Sequence, residues 1–246
     1  GRTIKELITT NGSYTLTREF TYVDTDNRAT NLIKTIKLSK GSTTVDTLNY
    51  KYDIMGRITK VYNTLDTINT TYQYDKLGRL VRENNKEVDK SIVITYDKNG
   101  NILTKKSGPY TTGTVSVNSI ENFAYSSTYS DRLYSYKGQT VSISETGNIT
   151  NIGSTTYSWN KETLLSRVYK SSYIYSDYVY DGTGVRIQKS LYNNGTTETH
   201  RYINDGTRIL KEIITGGSYA GTLTFIYLGN QVIGFNYNSN NYFIFF

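Results

Sequence analysis

At 246 residues, with 36% hydrophobic and 20% charged side chains, the chain is long enough for one large domain or two small ones and to bury a real core. Twenty-five tyrosines beside three alanines and one proline favour pleated strands over helices, so a coiled coil, a collagen helix and a doubly wound α/β enzyme are poor fits. The absence of cysteine removes disulfides, thiolate metal sites and cysteine nucleophiles, and the net charge of +7 puts nucleic acid among the partners to be weighed.

The first stretch, 1–49, begins Gly1-Arg2-Thr3 with neither an initiator Met nor an apolar leader, so the chain reads as an excised piece. FTYVDTDNR at 20–28 is its one segment with a later echo. The stretch 50–110 is strongly periodic: YKYDIMGRI (50–58), YQYDKLGRL (72–80) and ITYDKNGNI (94–102) repeat every 22 residues. Tyr52, Tyr74 and Tyr96 keep that step, as do Asp53, Asp75 and Asp97, and Gly56, Gly78 and Gly100. Between 111 and 246 the pattern loosens and returns. ISETGNI (143–149) and YSWNKETLL (157–165) are partial copies, YVYDGTGVRI (178–187) is a good one, and HRYINDGTRI (200–209) follows at the same step. No apolar stretch approaches the roughly 20 residues that span a bilayer.

The unit has a physical reading. Tyrosines two apart, such as Tyr50 and Tyr52, share one face of a strand. D-x-x-G then matches the residue preferences of a type I turn, with the Asp bonding turn amides and the Gly taking a positive φ. R-I or R-L followed by alternating residues is the returning strand. Each 22-residue unit is thus a hairpin, consecutive hairpins extend one antiparallel sheet, and the tyrosines are expected to stack in cross-strand ladders. The fold class is all-β: stacked antiparallel hairpins in a single region over 1–246, divergent over 1–49, regular over 50–110 and modified over 111–246.

These copies resemble the YD-repeat of Rhs and wall-associated proteins, of the C component of insecticidal toxin complexes and of teneurins. DRLYSYKGQTVSISETGNITNIGSTTYSWNKETLLSRV (131–168), YDGTGVRIQK (180–189) and FIYLGNQVIGFNYNSNNYFIFF (225–246) resemble successive blocks near the end of an Rhs core. The resemblance implies a spiralling β-sheet that closes into a hollow shell around a C-terminal toxin, or that forms part of an adhesive ectodomain. It implies a secreted or cell-surface, cell-wall-associated bacterial protein, with the toxin cargo and the rest of the shell as partners. Bacterial members carry an aspartate-dependent self-cleavage segment after the core. This chain stops at Phe246, before that segment is expected, and its apolar Ile244-Phe245-Phe246 ending reads as that of a cut or truncated product.

Other chemistries find less support. His200, the one histidine, lies between Thr199 and Arg201 without a nucleophile elbow and reads as a surface strand residue. The recurring aspartates read as turn residues rather than an acid–base pair. DKNGN at 97–101 begins like a calcium loop, but position 12 of that loop is Gly108, and DTDNR at 24–28 is equally incomplete. DGTG (181–184) and NDGT (204–207) lack the Lys-Ser/Thr ending of a phosphate loop. No catalytic, metal or cofactor residue is assigned. The Lys and Arg residues are scattered, with Lys105-Lys106 the only adjacent pair, which favours a solvated sheet face over a nucleic-acid groove. Trp159 and exposed tyrosines leave an alternative function, recognition of cell-surface or cell-wall carbohydrate. The leading expectation is a non-enzymatic shell segment that encapsulates a toxin.

Overall fold

The computed structural model describes residues 2–10, 14–25, 28–129 and 131–244. Asp26 and Asn27 of the 20–28 copy and Phe245 and Phe246 of the apolar Ile244-Phe245-Phe246 ending lie outside these residues. The described residues form 22 strands and no helix, hence no helix long and apolar enough to cross a membrane. The chain divides into two compact units, Gly1–Arg132 and Leu133–Phe246.

The first unit is a meander of β1 (Lys5–Thr10), β2 (Tyr14–Thr25), β3 (Arg28–Lys40), β4 (Thr43–Tyr52), β5 (Ile58–Asn63), β6 (Asn69–Tyr74), β7 (Leu80–Asn85), β8 (Lys90–Tyr96), β9 (Ile102–Gly108) and β10 (Ser119–Tyr125). Each strand pairs antiparallel with the next in sequence. Threonines and β-branched residues at opposed positions suit this pairing. Thr95 and Thr104, opposite each other on β8 and β9, join hydroxyls at 2.7 Å.

After β9 the 22-residue step is broken by residues 109–118, which fold back against β7 and β8. Ser91, with no exposed surface, donates to the Thr111 carbonyl (3.1 Å) and accepts from the Thr111 amide (2.9 Å). Arg82 Nη2 donates to the carbonyls of Thr111 (2.9 Å) and Gly113 (2.5 Å). Gly108 is required there, because a Cβ would meet the Ser116 carbonyl oxygen at 1.9 Å.

The second unit continues the same way: β11 (Leu133–Tyr136), β12 (Gln139–Ile143), β13 (Ile149–Ile152), β14 (Thr155–Asn160), β15 (Leu164–Ser171), β16 (Ile174–Tyr180), β17 (Arg186–Asn193), β18 (Thr196–Asp205), β19 (Arg208–Thr215), β20 (Gly221–Leu228), β21 (Gln231–Tyr237) and β22 (Asn240–Phe243). Again every pairing is between sequence neighbours and antiparallel.

The core expected from chain length is sparse. Buried aliphatic side chains among the described residues are Leu16, Ile36 and Leu38 in the first unit and Val141 and Ile233 in the second. Polar groups are buried as deeply, including Asn63, Asn84, Ser91 and Ser190. The reason lies in the topology. A meander whose strands contact only their sequence neighbours leaves most positions half-buried, as in β5 and β7. Stability then depends on ladder bonds and on side chains that tie one hairpin to the next.

Candidate functional site: the locked turn and its back-reaching tyrosine

In the turn between β4 and β5 the Gly56 amide donates to the Asp53 carbonyl (3.0 Å) and the Asp53 amide to the Arg57 carbonyl (3.0 Å). This is a type I turn followed by a left-handed residue, Gly56 at φ 77°. Asp53 Oδ1 accepts from the amides of Met55 (2.9 Å) and Arg57 (3.0 Å), and Oδ2 accepts from Arg57 Nε (2.7 Å). One carboxylate therefore fills both open amides of the turn and pins the first side chain of the returning strand.

The arrangement recurs at each regular copy. Asp75 holds the amides of Leu77 and Arg79 (both 2.9 Å) and Arg79 Nε (2.7 Å). Asp97 holds those of Asn99 (2.9 Å) and Asn101 (2.8 Å) and the Asn101 side-chain amide (3.0 Å). Asp181, in the second unit, holds the amides of Thr183 (2.9 Å) and Val185 (3.0 Å) and the Thr183 hydroxyl (2.7 Å). Gly78, Gly100 and Gly184 lie at φ 82°, 96° and 87°.

These bonds hold the four carboxyls below the ordinary aspartate range. At Asp75 the Arg79 amide is the largest influence, at Asp97 the Asn101 side chain and at Asp181 the Thr183 hydroxyl. At Asp53 desolvation raises the value, but the bonds from Arg57 and Met55 outweigh it. Both oxygens of Asp97 are thus engaged by turn donors, so the calcium-like DKNGN run works as a repeat turn. Among the described residues no cluster of three or more acidic or histidine side chains is arranged to hold a metal ion.

A second device joins one turn to the next. The Tyr74 hydroxyl donates to the Ile58 carbonyl (2.8 Å), one residue past Arg57, and the Arg57 guanidinium lies 4.6 Å from the Tyr74 ring centroid. Tyr96 repeats this on Leu80 (2.7 Å) with Arg79 at 4.6 Å. Tyr52, Tyr125, Tyr180 and Tyr227 reach the carbonyls of Ile33, Ile102, Leu165 and Ile209 at 2.7–3.0 Å. Each aromatic residue thus binds the hairpin before it. Burial raises the phenols of Tyr52, Tyr96 and Tyr125, which keeps them protonated as donors. A β-bulge accompanies the device, with the register shifting at Lys51/Tyr52, Gln73/Tyr74, Thr95/Tyr96 and Val179/Tyr180.

The expected tyrosine ladder does not form at these positions. Tyr52 and Tyr74 are separated by the returning strand β5, two strand spacings or roughly 10 Å, too far for rings to stack. An arginine fills the interval. Stacked rings occur elsewhere, as at Tyr175 and Tyr192 (4.1 Å between centroids). Sequence reasoning placed the arginine merely at a strand start; its fixed place after the glycine, at Arg57 and Arg79, was the signal available.

The looser copies depart from the pattern in instructive ways. In 143–149 Ser144 replaces the aspartate, accepting from the Asn148 amide at 3.1 Å, with Gly147 at φ 89°. In 157–165 the turn has Lys161 and Glu162 both at positive φ (49° and 58°), a primed geometry with no carboxylate lock. Trp159 stands in the tyrosine's place: its Nε1 donates to the Ile149 carbonyl (2.8 Å). In 200–209, Asp205 pairs directly with Arg208 around Gly206-Thr207, so this copy is a shorter turn than its sequence phase suggests.

His200 is part-buried rather than freely exposed. On β18 its Nε2 lies 2.8 Å from Glu198 and its Nδ1 2.6 Å from Glu212, with 14% of the side chain exposed.

The teneurin YD-shell family model matches residues 5–245. No curated protein matches the chain by sequence. Among solved structures, the crystal structure of TcdB2-TccC3-Cdc42 superposes with a TM-score of 0.61 at 16% identity, covering 92% of this chain and 13% of that one. The Photorhabdus luminescens Tc holotoxin pore with a mutated TccC3 gives 0.62 at 16% identity, over 91% and 12%. TcdB2-TccC3 without its hypervariable C-terminal region gives 0.60 at 15% identity, over 91% and 13%. The chain therefore spans about an eighth of the chains it matches, and at such identity the likeness is one of fold.

Proposed function

The chain belongs to the teneurin YD-shell family, and from that premise we propose that it is a non-enzymatic wall segment of a larger bacterial YD-repeat shell that encloses a C-terminal toxin cargo. The observation that carries this reading is the chain of back-reaching aromatic residues. A wall must resist opening between any two of its hairpins, and here Tyr52, Tyr74, Tyr96 and Tyr125 each tie a hairpin to its predecessor. The most prominent polar groups, the turn aspartates, are engaged by their own turns, which fits a structural role. In this reading the complete protein is secreted or displayed at the cell surface, and its other partners are the remainder of the shell and the cargo.

The alternative, recognition of cell-wall or cell-surface carbohydrate, rests on Trp159, whose indole N–H is committed to the Ile149 carbonyl, and on exposed tyrosines such as Tyr173 and Tyr219. Limited proteolysis of the full gene product tests the leading reading. The region following the shell is expected to resist protease in the native protein and to become sensitive in a Gly78→Val wall variant. Equal and rapid digestion in both would overturn sequestration.

A further inference from the structure

On one face of the second unit a trough crosses β14 to β18. Two cavities of ≈ 500 and ≈ 270 Å³ adjoin there, sharing Leu191 and Asn193 as lining residues. Val168, Ser176, Leu191 and Glu198 are successive register partners on β15 to β18 and form one row of the floor. Ile174, Asn193 and Thr196 form the adjacent row. Val168, Ile174 and Leu191 make the middle aliphatic.

The two ends are charged and opposite. Lys170, exposed, has no acidic partner among the described residues and stands at the β15 end. Glu198 stands at the β18 end. Its Oε1 is held by His200 Nε2 (2.8 Å), and His200 is braced from the other side by Glu212 (2.6 Å). Its Oε2 receives no hydrogen bond from the described residues. That oxygen is only 2.1 Å from where a Cβ of Gly217 would stand, so the carboxylate keeps its place because residue 217 is glycine. Ser218 and Tyr219 close this end.

We propose that the trough docks an extended polypeptide segment bearing an acidic and a basic residue four positions apart with aliphatic residues between. Three strand spacings separate β15 from β18, about 14 Å, and four residues of extended chain cover about 13 Å. The acidic side chain faces Lys170, the basic one completes the free oxygen of Glu198, and the middle aliphatic residue, on the same face of the extended segment, lies over Val168, Ile174 and Leu191. A glycan fits less well. The floor offers aliphatic groups rather than flat rings, since Tyr175 and Tyr192, one position off the floor rows, stack with each other on the opposite face of the sheet. The inference does not depend on sequestration, because the segment is defined by its chemistry alone.

Fluorescence anisotropy with a labelled nonapeptide containing the core Glu-Val-Leu-Val-Arg tests it. Saturable binding is expected, weakened at least tenfold by Glu198→Gln or Ile174→Asp in the protein, or by replacing both charged residues of the peptide with Gln. Lys170→Gln, at an exposed position that leaves folding intact, is expected to weaken binding at least threefold and to abolish the dependence on the peptide's Glu. Thermal melts of each variant check that the fold is kept. No binding up to millimolar peptide, affinity indifferent to both Lys170→Gln and the peptide charges, or oligosaccharide that displaces the peptide at lower concentration would each overturn the proposal. Peptide binding together with an unprotected cargo in the proteolysis experiment would uphold the trough and remove sequestration.

Discussion

The turns at 53–57, 75–79 and 97–101 of the first unit and those between 143 and 209 of the second solve one problem by different chemistry. In the first unit one carboxylate fills the open amides each time, and the glycine at its end is left-handed. In the second, Ser144, a primed Lys161-Glu162 turn, Asp181 and a short Gly206-Thr207 turn succeed one another. What survives most of these changes is the aromatic donor to an earlier carbonyl, from Tyr74 to Trp159 and Tyr227. Turn chemistry is therefore exchangeable, whereas the link between hairpins is the element the fold retains.

The sharpest way to break this contrast is at the glycines. Gly78→Val places a β-branched residue at φ 82° with Arg57 Nη1 3.1 Å from the new Cβ, and is expected to cost about 2–3 kcal/mol in urea unfolding. Gly206→Val, at φ 59° with open space around it, is expected to cost about 1–2 kcal/mol. Equal costs would mean that the regular turns are no more constrained than the short one.

Acid separates the units next. The lowered carboxyls of Asp53, Asp75 and Asp97 lie in the first unit and that of Asp181 in the second. A carboxyl depressed by folding contributes stability that is complete above its unfolded value, near 4, and is lost as pH falls through the lower folded value. Hydrogen exchange between pH 5 and 2.5 is expected to show residues 50–102 losing protection more than 174–193.

Smaller effects follow from single side chains. Asp75→Ala is expected to lower the urea midpoint more than Ser144→Ala, because it removes two backbone amide partners and a charged arginine rather than one amide and the Thr146 hydroxyl. Tyr74→Phe and Trp159→Phe each remove one bond to a carbonyl and are expected to cost about 1 kcal/mol apiece, alike in both units. A much smaller loss in either would show that the aromatic link is not the shared element.

Much of this was legible in the sequence because it is local. D-x-x-G names its turn and its positive φ within four residues, and the 22-residue step names the antiparallel hairpins. The clasp between Arg57 and Tyr74 was not, since it joins the start of one strand to the end of the next, 17 residues apart in sequence, and no local preference encodes it. Phase also misled once: Tyr202, Gly206, Arg208 and Ile209 keep the step from 180–187, yet Gly206 directly after Asp205 tightens the turn to two residues. The fold-back of 109–118 depends on a backbone passing Gly108, invisible until both segments are placed.

Because the aromatic donors Tyr52, Tyr74, Tyr96, Tyr125, Trp159, Tyr180 and Tyr227 each reach toward a lower residue number, these links have a direction along the chain. As the chain emerges during synthesis, each new hairpin finds its acceptor carbonyl already presented by the one made before it. A hairpin never has to wait for sequence not yet translated to receive this link. The links thus become available in order from the N-terminal side, and within 50–102 removing one whole 22-residue unit leaves the next tyrosine an equivalent acceptor.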